Sequence, residues 1–247
     1  GALFIQIGTN YVNDAADFQK GADTGDRLGP PRMAALGRLS PESLYWGAAS
    51  FFLLATLAGV YLFLAAGPLI LAIGFASILF AVAYTAGPFP LAYLGLGDLF
   101  VLVFFGIVAV SGTYISHTRS LTPETLYLAM ATGLHGVALI AVNNLRDIPT
   151  DVLAGKKTLA VRLGDKASRW YYSLLLFLPY LFWSPFFFRL PLHFAVLPFL
   201  SLPLAALNAQ KCFCVVDRRD FNSLLGKTAA LQLLFGILAA ISLVLSP

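Results

Sequence analysis

The sequence predicts an all-α protein, a polytopic bundle of transmembrane helices, and three observations carry that expectation. Hydrophobic residues fill 59% of the 247 positions, charged residues only 11%, and the mean hydropathy is +0.80, whereas soluble chains carry about 25% charged residues. Apolar runs long enough to cross a hydrocarbon core of about 30 Å, roughly 20 residues each, recur along the chain. The loops between them alternate in positive charge, as the positive-inside rule requires of a multi-pass protein.

The elements follow in chain order. The opening run GALFIQIGT is too short to cross a membrane alone and starts from Gly1, so the expectation is that one span and most of another precede it. An irregular loop over 18–43 comes next, with Pro30, Pro31, Pro41, Gly25, Gly29 and Gly37 as its breakers. Full spans are expected near 44–65, 68–86, 98–117, 123–144, 170–188, 192–210 and 227–246. The second and third are joined by YTAGPFPLAYLGLGD, Tyr84 to Asp98. A connection so rich in Gly and Pro at membrane depth has to be buried in protein or line a cavity. Loops at 145–169 and 211–226 complete the chain, read as one transmembrane domain over 1–247.

Orientation comes from the basic residues. Lys20, Arg27, Arg32 and Arg38 precede the first full span; Arg146, Lys156, Lys157, Arg162, Lys166 and Arg169 lie between the fourth and fifth; Lys211, Arg218, Arg219 and Lys227 precede the last. These share one face, which the rule assigns to the cytoplasm, and only Arg119 and Arg189 stand opposite. The net charge of +4 is therefore explained by topology and by anionic lipid or substrate, not by nucleic acid. Topology alone accounts for Arg38, Arg169, Arg218 and Arg219. Cys212 and Cys214, a CxC on the cytoplasmic face, read as reduced free thiols, because His117, His135 and His193 are too scattered to complete a zinc site. His135, well inside a span, reads as a packing or hydrogen-bonding residue.

The acidic residues are few and gathered. Asp14, Asp17, Asp23 and Asp26 close the opening segment, Asp98 starts a span, and Asp147 and Asp151 sit in VNNLRDIPTD. On a helix, Asn10, Asn13, Asp14 and Asp17 fall at i, i+3, i+4 and i+7, one face. Asn143, Asn144, Asp147 and Asp151 repeat the arrangement, although Pro149 predicts that the second helix is not regular through Asp151. Carboxylates at a membrane span cost about 2.5–3.5 kcal/mol each on insertion scales, so they face a cavity or a partner. Two such rows call for cations. Magnesium takes oxygen ligands and is usually held by one or two carboxylates plus substrate phosphates. Lys20, Arg27 and Arg32 after the first row, and Lys156, Lys157 and Arg162 after the second, then read as phosphate-binding groups. The plain alternative is that each row is a helix end making loop salt bridges. Phe80, Tyr84 and Tyr93 read first as packing, and beside the acidic face as aromatics that shield a carbocation.

NDAADFQKGADTGDR, YTAGPFPLAYLGLGD and VNNLRDIPTDVLAGKKTLAVRLG resemble the signatures of the UbiA-type intramembrane prenyltransferases, in the branch that acts on 1,4-dihydroxy-2-naphthoate in menaquinone synthesis. The resemblance runs in order over essentially the whole chain. It implies a helical bundle of nine spans around a central cavity in the cell membrane, opening to the cytoplasm, with two Asp-rich motifs that bind magnesium and a polyprenyl diphosphate. Asp14 and Asp17 match the metal carboxylates of the first motif, with Asn10 and Asn13 beside them. Asp147 and Asp151 match those of the second, with Asn143 and Asn144 beside them. With Tyr84 these four aspartates are the catalytic candidates; Asp98, Lys20, Arg27, Arg32, Lys156 and Arg162 join the asparagines as substrate-binding candidates. Relatives that use 4-hydroxybenzoate carry a Tyr with a Lys four residues later, whereas Tyr84 is followed by Pro88. The expected reaction is transfer to the naphthoate with loss of carbon dioxide. The alternatives are another acceptor, such as 4-hydroxybenzoate or homogentisate, a cation-coupled transporter, or a CDP-alcohol phosphotransferase, whose first motif needs Gly where Phe18 follows Asp17.

Overall fold

Proline and serine set several of the helix starts. Ser40 accepts the Ser43 N–H at 3.1 Å and Pro41 follows it as the first helical residue, a position where the missing N–H costs nothing and the fixed φ suits the helix. Pro68 and Pro123 open two further helices in the same way. A computed structural model describes residues 1–22, 27–87 and 90–246, and among these the regular structure is helical throughout. Asp23, Asp26 and Pro88 lie outside the described residues. The order is α1 (Ala2–Gln19), α2 (Pro41–Ala66), α3 (Pro68–Thr85), α4 (Gly97–Thr118), α5 (Pro123–Leu153), α6 (Leu159–Trp183), α7 (Leu192–Cys214) and α8 (Phe221–Leu245). All but α1 are long and apolar enough to cross a membrane, so the chain is a multi-pass membrane protein with seven candidate spans.

The seven spans stand where hydropathy places them, and several run further. α5 does not end at Asn144 but continues through Pro149 to Leu153, against the expectation of an irregular end. At that point a donor arrives from far along the chain: Arg218 Nη1 gives the Leu145 carbonyl a hydrogen bond at 2.6 Å, and Leu145 is the residue that Pro149 leaves without a helical N–H. Likewise α6 begins at Leu159, inside the expected loop, and bends at Gly164, whose φ of +74° suits glycine.

The chain divides into two compact units, Gly1–Gly97 with Gly112–Ser120 and Asp147–Arg162, and Asp98–Ser111 with Leu121–Arg146 and Leu163–Pro247. In the first unit α1 packs on α2 and α3. Ala15, Ala34 and Leu44 are buried together there, with Tyr11 and Tyr45 against them. Tyr11 meets Phe51 edge to face at 5.6 Å and lies over Gly47, where a Cβ would come within 2.6 Å of its ring.

The second unit is built on aromatic and hydroxyl contacts. Trp183 donates its indole N–H to the Ala195 carbonyl at 2.8 Å and stacks on Phe186 at 4.2 Å. Tyr172 bonds Thr228 and Tyr180 bonds Ser201, each at 2.7 Å. His135 is fully buried against Phe235, with Nδ1 at 3.1 Å from the Ala131 carbonyl; it packs, as the sequence suggests. The middle of α4, Leu102–Val108, widens into a π-helix. Gly106 there lies so close to Gly133 of α5 that a Cβ would fall 2.7 Å from its Cα, the small-residue contact that lets membrane helices approach backbone to backbone.

Candidate active site

α1 continues unbroken past the apolar run to Gln19 and so keeps Asn10, Asn13, Asp14 and Asp17 on one face. Asn10 is exposed, Asn13 half-buried, and both carboxylates are buried. Asp14 holds the following loop: its Oδ2 accepts the Met33 N–H at 3.0 Å and its Oδ1 the Ala34 N–H at 3.3 Å. Arg27 and Arg32, both half-buried, belong to the loop that this carboxylate ties down.

One turn on, Asp17 enters a denser arrangement. Its Oδ1 accepts the Tyr93 hydroxyl at 2.8 Å and lies 3.2 Å from Lys156 Nζ. Two ammonium groups lie over the Tyr93 ring, Lys20 at 4.7 Å and Lys156 at 4.8 Å from its centroid, both within cation–π range. Lys20 also donates to the Thr85 carbonyl, and Thr85 donates its hydroxyl to Asn13 Oδ1. Tyr84, half-buried, neighbours Thr85 at the end of α3. Burial, and then the charge of Asp17, pushes the Tyr93 phenol well above its ordinary range, so it stays a donor. Burial lowers the Lys20 ammonium; Asp17 opposes that shift and Lys156 adds to it.

Tyr93 holds this place because its turn, Leu91–Leu94, is fastened by backbone. The Lys157 N–H donates to the Tyr93 carbonyl at 3.0 Å. Arg162 donates to the Leu94 carbonyl at 2.8 Å and the Lys157 carbonyl at 3.1 Å. Gly95, at φ +75°, closes the turn where a Cβ would stand 2.5 Å from the Lys157 carbonyl oxygen, so no other residue fits. Arg162 is thus a strap on the turn in this structure. Asp151 is buried in the last turns of α5 with the Thr158 hydroxyl at 3.4 Å, and Asp147 is half-buried one turn before it.

The remaining candidates belong to the second unit. Asn143 accepts from Arg146 Nη2 at 2.8 Å, and Arg146 Nη1 donates to Asn222 at 2.7 Å; Asn144 is half-buried beside them in sequence. Asp98 is buried at the start of α4 with the Tyr171 hydroxyl at 3.2 Å from its Oδ1. Arg169 and Arg218, which topology alone seemed enough to explain, converge on Asp165 at 2.7 and 2.9 Å. Cys212 is buried and Cys214 exposed, both as free thiols. Sequence reasoning missed the central position of Tyr93; its one signal is Gly95 in YLGLGD, where the turn comes against the Lys157 backbone.

Among the described residues no three His, Cys, Asp or Glu side chains gather closely enough to cage a metal ion. The donor set is instead acidic oxygens next to fixed ammonium groups. That fits magnesium, which keeps waters and shares its sphere with substrate phosphates rather than needing an all-protein cage.

A model of the UbiA prenyltransferase family matches residues 1–225. The chain is 35% identical over 255 residues to a 1,4-dihydroxy-2-naphthoate octaprenyltransferase of Haemophilus influenzae, covering 98% of this chain and 81% of that protein. It is 43% identical over 175 residues to the protein of that description from Mycobacterium tuberculosis, covering 71% and 60%. It is 32% identical over 248 residues to UbiA prenyltransferase domain-containing protein 1 of Danio rerio, covering 99% and 71%.

Proposed function

The chain belongs to the UbiA prenyltransferase family and is an aromatic prenyltransferase, and we propose that it moves a polyprenyl group from polyprenyl diphosphate to 1,4-dihydroxy-2-naphthoate, giving demethylmenaquinol, the reduced precursor of demethylmenaquinone. That family membership sets the transporter and phosphotransferase readings aside. The observation that carries the proposal is the arrangement of Asp17, Lys20 and Lys156 around Tyr93, where two ammonium groups and a buried carboxylate share one aromatic ring. Members of the family are generally magnesium-dependent, and Asp14, Asp17, Asp147 and Asp151 are the residues proposed to hold the ion. Magnesium supplies positive charge to the diphosphate.

Lys20 and Lys156 neutralise the charge that grows on the diphosphate as its bond to the prenyl carbon breaks, with Arg27 and Arg32 on the loop before α2 as further anion contacts. Tyr93 keeps Asp17 oriented and its ring faces positive charge. The apolar spans keep water from the allylic cation. The naphthoate ring then attacks that cation through carbon, and its carboxyl group leaves as carbon dioxide. The names of the naphthoate-specific relatives support this acceptor, as does Pro88 standing where hydroxybenzoate-using relatives have Lys. The reading places the site at the cytoplasmic face of the cell membrane.

The test feeds carboxyl-labelled 1,4-dihydroxy-2-naphthoate, a polyprenyl diphosphate and magnesium to the enzyme in vesicles. One labelled carbon dioxide is expected for each transfer, and little transfer to 4-hydroxybenzoate. Label retained in the prenylated product, or faster use of 4-hydroxybenzoate, would refute the acceptor while leaving the family untouched.

A further inference from the structure

The helix that carries the second acidic row has a defect in its backbone. Pro149 has no N–H for the Leu145 carbonyl four residues back. Leu145 is fully buried, so water is a poor substitute there. α5 nevertheless continues to Leu153. The carbonyl is met by Arg218, whose Nη1 donates to it at 2.6 Å while Nη2 donates to Asp165 Oδ1 at 2.9 Å. Asp165 is itself held by Arg169 Nε at 2.7 Å, and Arg169 also donates to the Val215 carbonyl at 3.1 Å, just before the turn that bears Arg218. Asp217 accepts the Arg219 N–H at 2.9 Å and caps that turn. The guanidinium is therefore oriented by a carboxylate, and its backbone fastened, before it reaches the carbonyl.

From these contacts we infer that Arg218 is a positioning residue for prenyl transfer: it replaces the N–H that Pro149 lacks, keeps the last turns of α5 helical, and so presents Asp147 and Asp151 from the helix. It touches no reacting atom and acts through α5. The inference rests on the proposed role of those two carboxylates.

A rescue tests it. Alanine at position 149 restores the missing N–H, so Arg218→Ala, Pro149→Ala and the double variant are compared in the full chain. Arg218→Ala is expected to lower kcat about tenfold or more, with little change in KM for the aromatic acceptor, and to speed hydrogen exchange at residues 150–153. Pro149→Ala stays near the parent, and the double variant returns to within about threefold of Pro149→Ala in both readouts. Arg218→Gln is carried in parallel, so that poor accumulation of the alanine variant does not remove the comparison. An Arg218 variant indistinguishable from the parent, or a double variant as impaired as the single one, overturns the inference. Asp147→Asn separates the two readings. Normal transfer by that variant overturns the role of the acidic row and with it any bearing of Arg218 on transfer; loss of transfer by Asp147→Asn without rescue in the double variant overturns the role of Arg218 alone.

Discussion

Replacing Tyr93 by Phe removes one oxygen and leaves the ring in place, which separates the two jobs this side chain holds. The hydroxyl donates to Asp17 Oδ1 at 2.8 Å, and hydrogen bonds to a charged group contribute about 1.5–3 kcal/mol. Asp17 keeps Lys156 at 3.2 Å, so the carboxylate loses its orienting donor but not its neutralising charge. If the whole of that energy is expressed in transfer, Tyr93→Phe lowers kcat/KM by one to two powers of ten, at about 1.4 kcal/mol for each. Tyr93→Ala also removes the ring that Lys20 and Lys156 both lie over, at 4.7 and 4.8 Å from its centroid. At about 0.5–1 kcal/mol for each partly exposed cation–π contact, the alanine variant should lose roughly a further factor of five to thirty. The assay is prenyl transfer under subsaturating diphosphate, with the midpoint of thermal unfolding in detergent measured alongside. A phenylalanine variant equal to the parent would show that the hydroxyl is idle; equal losses for Phe and Ala would show that the ring is.

Asp147→Asn and Asp151→Asn are expected to lower transfer by orders of magnitude while the protein still inserts, and chelation should abolish transfer in the parent; near-normal rates in either case would refute the magnesium assignment. Asp14→Asn should do more than weaken a metal site, because one of the oxygens that hold the Met33 and Ala34 amides becomes a donor, and faster proteolysis near Arg27 to Arg32 would report the loosened loop. Cysteine labelling should distinguish two neighbours: an impermeant thiol reagent reaches exposed Cys214 from the cytoplasmic side and leaves buried Cys212 unmodified, and labelling only from the opposite side would reverse the orientation. Burial lowers Lys20 below its ordinary value, and only its ammonium form attracts diphosphate. Diphosphate binding should therefore be full below that lowered value and weaken as pH rises through it, and Lys20→Arg should move the fall to higher pH.

How far these features could be read in advance depends on how far apart in the chain their causes lie. Apolar runs are local, so the spans from Pro41 to Leu245 could be placed, and so could the common face of Asn10, Asn13, Asp14 and Asp17, which needs only helical spacing. The continuation of α5 through Pro149 could not. The donor that meets its orphaned carbonyl is Arg218, far along the chain, and at residue level a basic side chain near a span end looks like topology. The contacts of Tyr93 were hidden for the same reason, since the tyrosine, the end of α1 with Asp17 and Lys20, and Lys156 come from three separate segments. Arg162 adds a contact that its charge does not announce: its Nε and Nη2 donate to the Lys157 and Leu94 carbonyls. Net charge and spacing do not reveal which cations also hold backbone.

Gly106 and Gly133 leave no gap between their helices, with each Cα within 3 Å of where the other's Cβ would be. Every missense change at either codon adds a Cβ, because all other amino acids have one. The two positions therefore offer no conservative neighbour in the genetic code, and a change at one cannot be relieved by a smaller residue at the other, which is already the smallest. In a scan of all substitutions they should stand as two empty columns amid lipid-facing positions that accept almost any apolar residue, a mutational dead end set by the distance between two backbones.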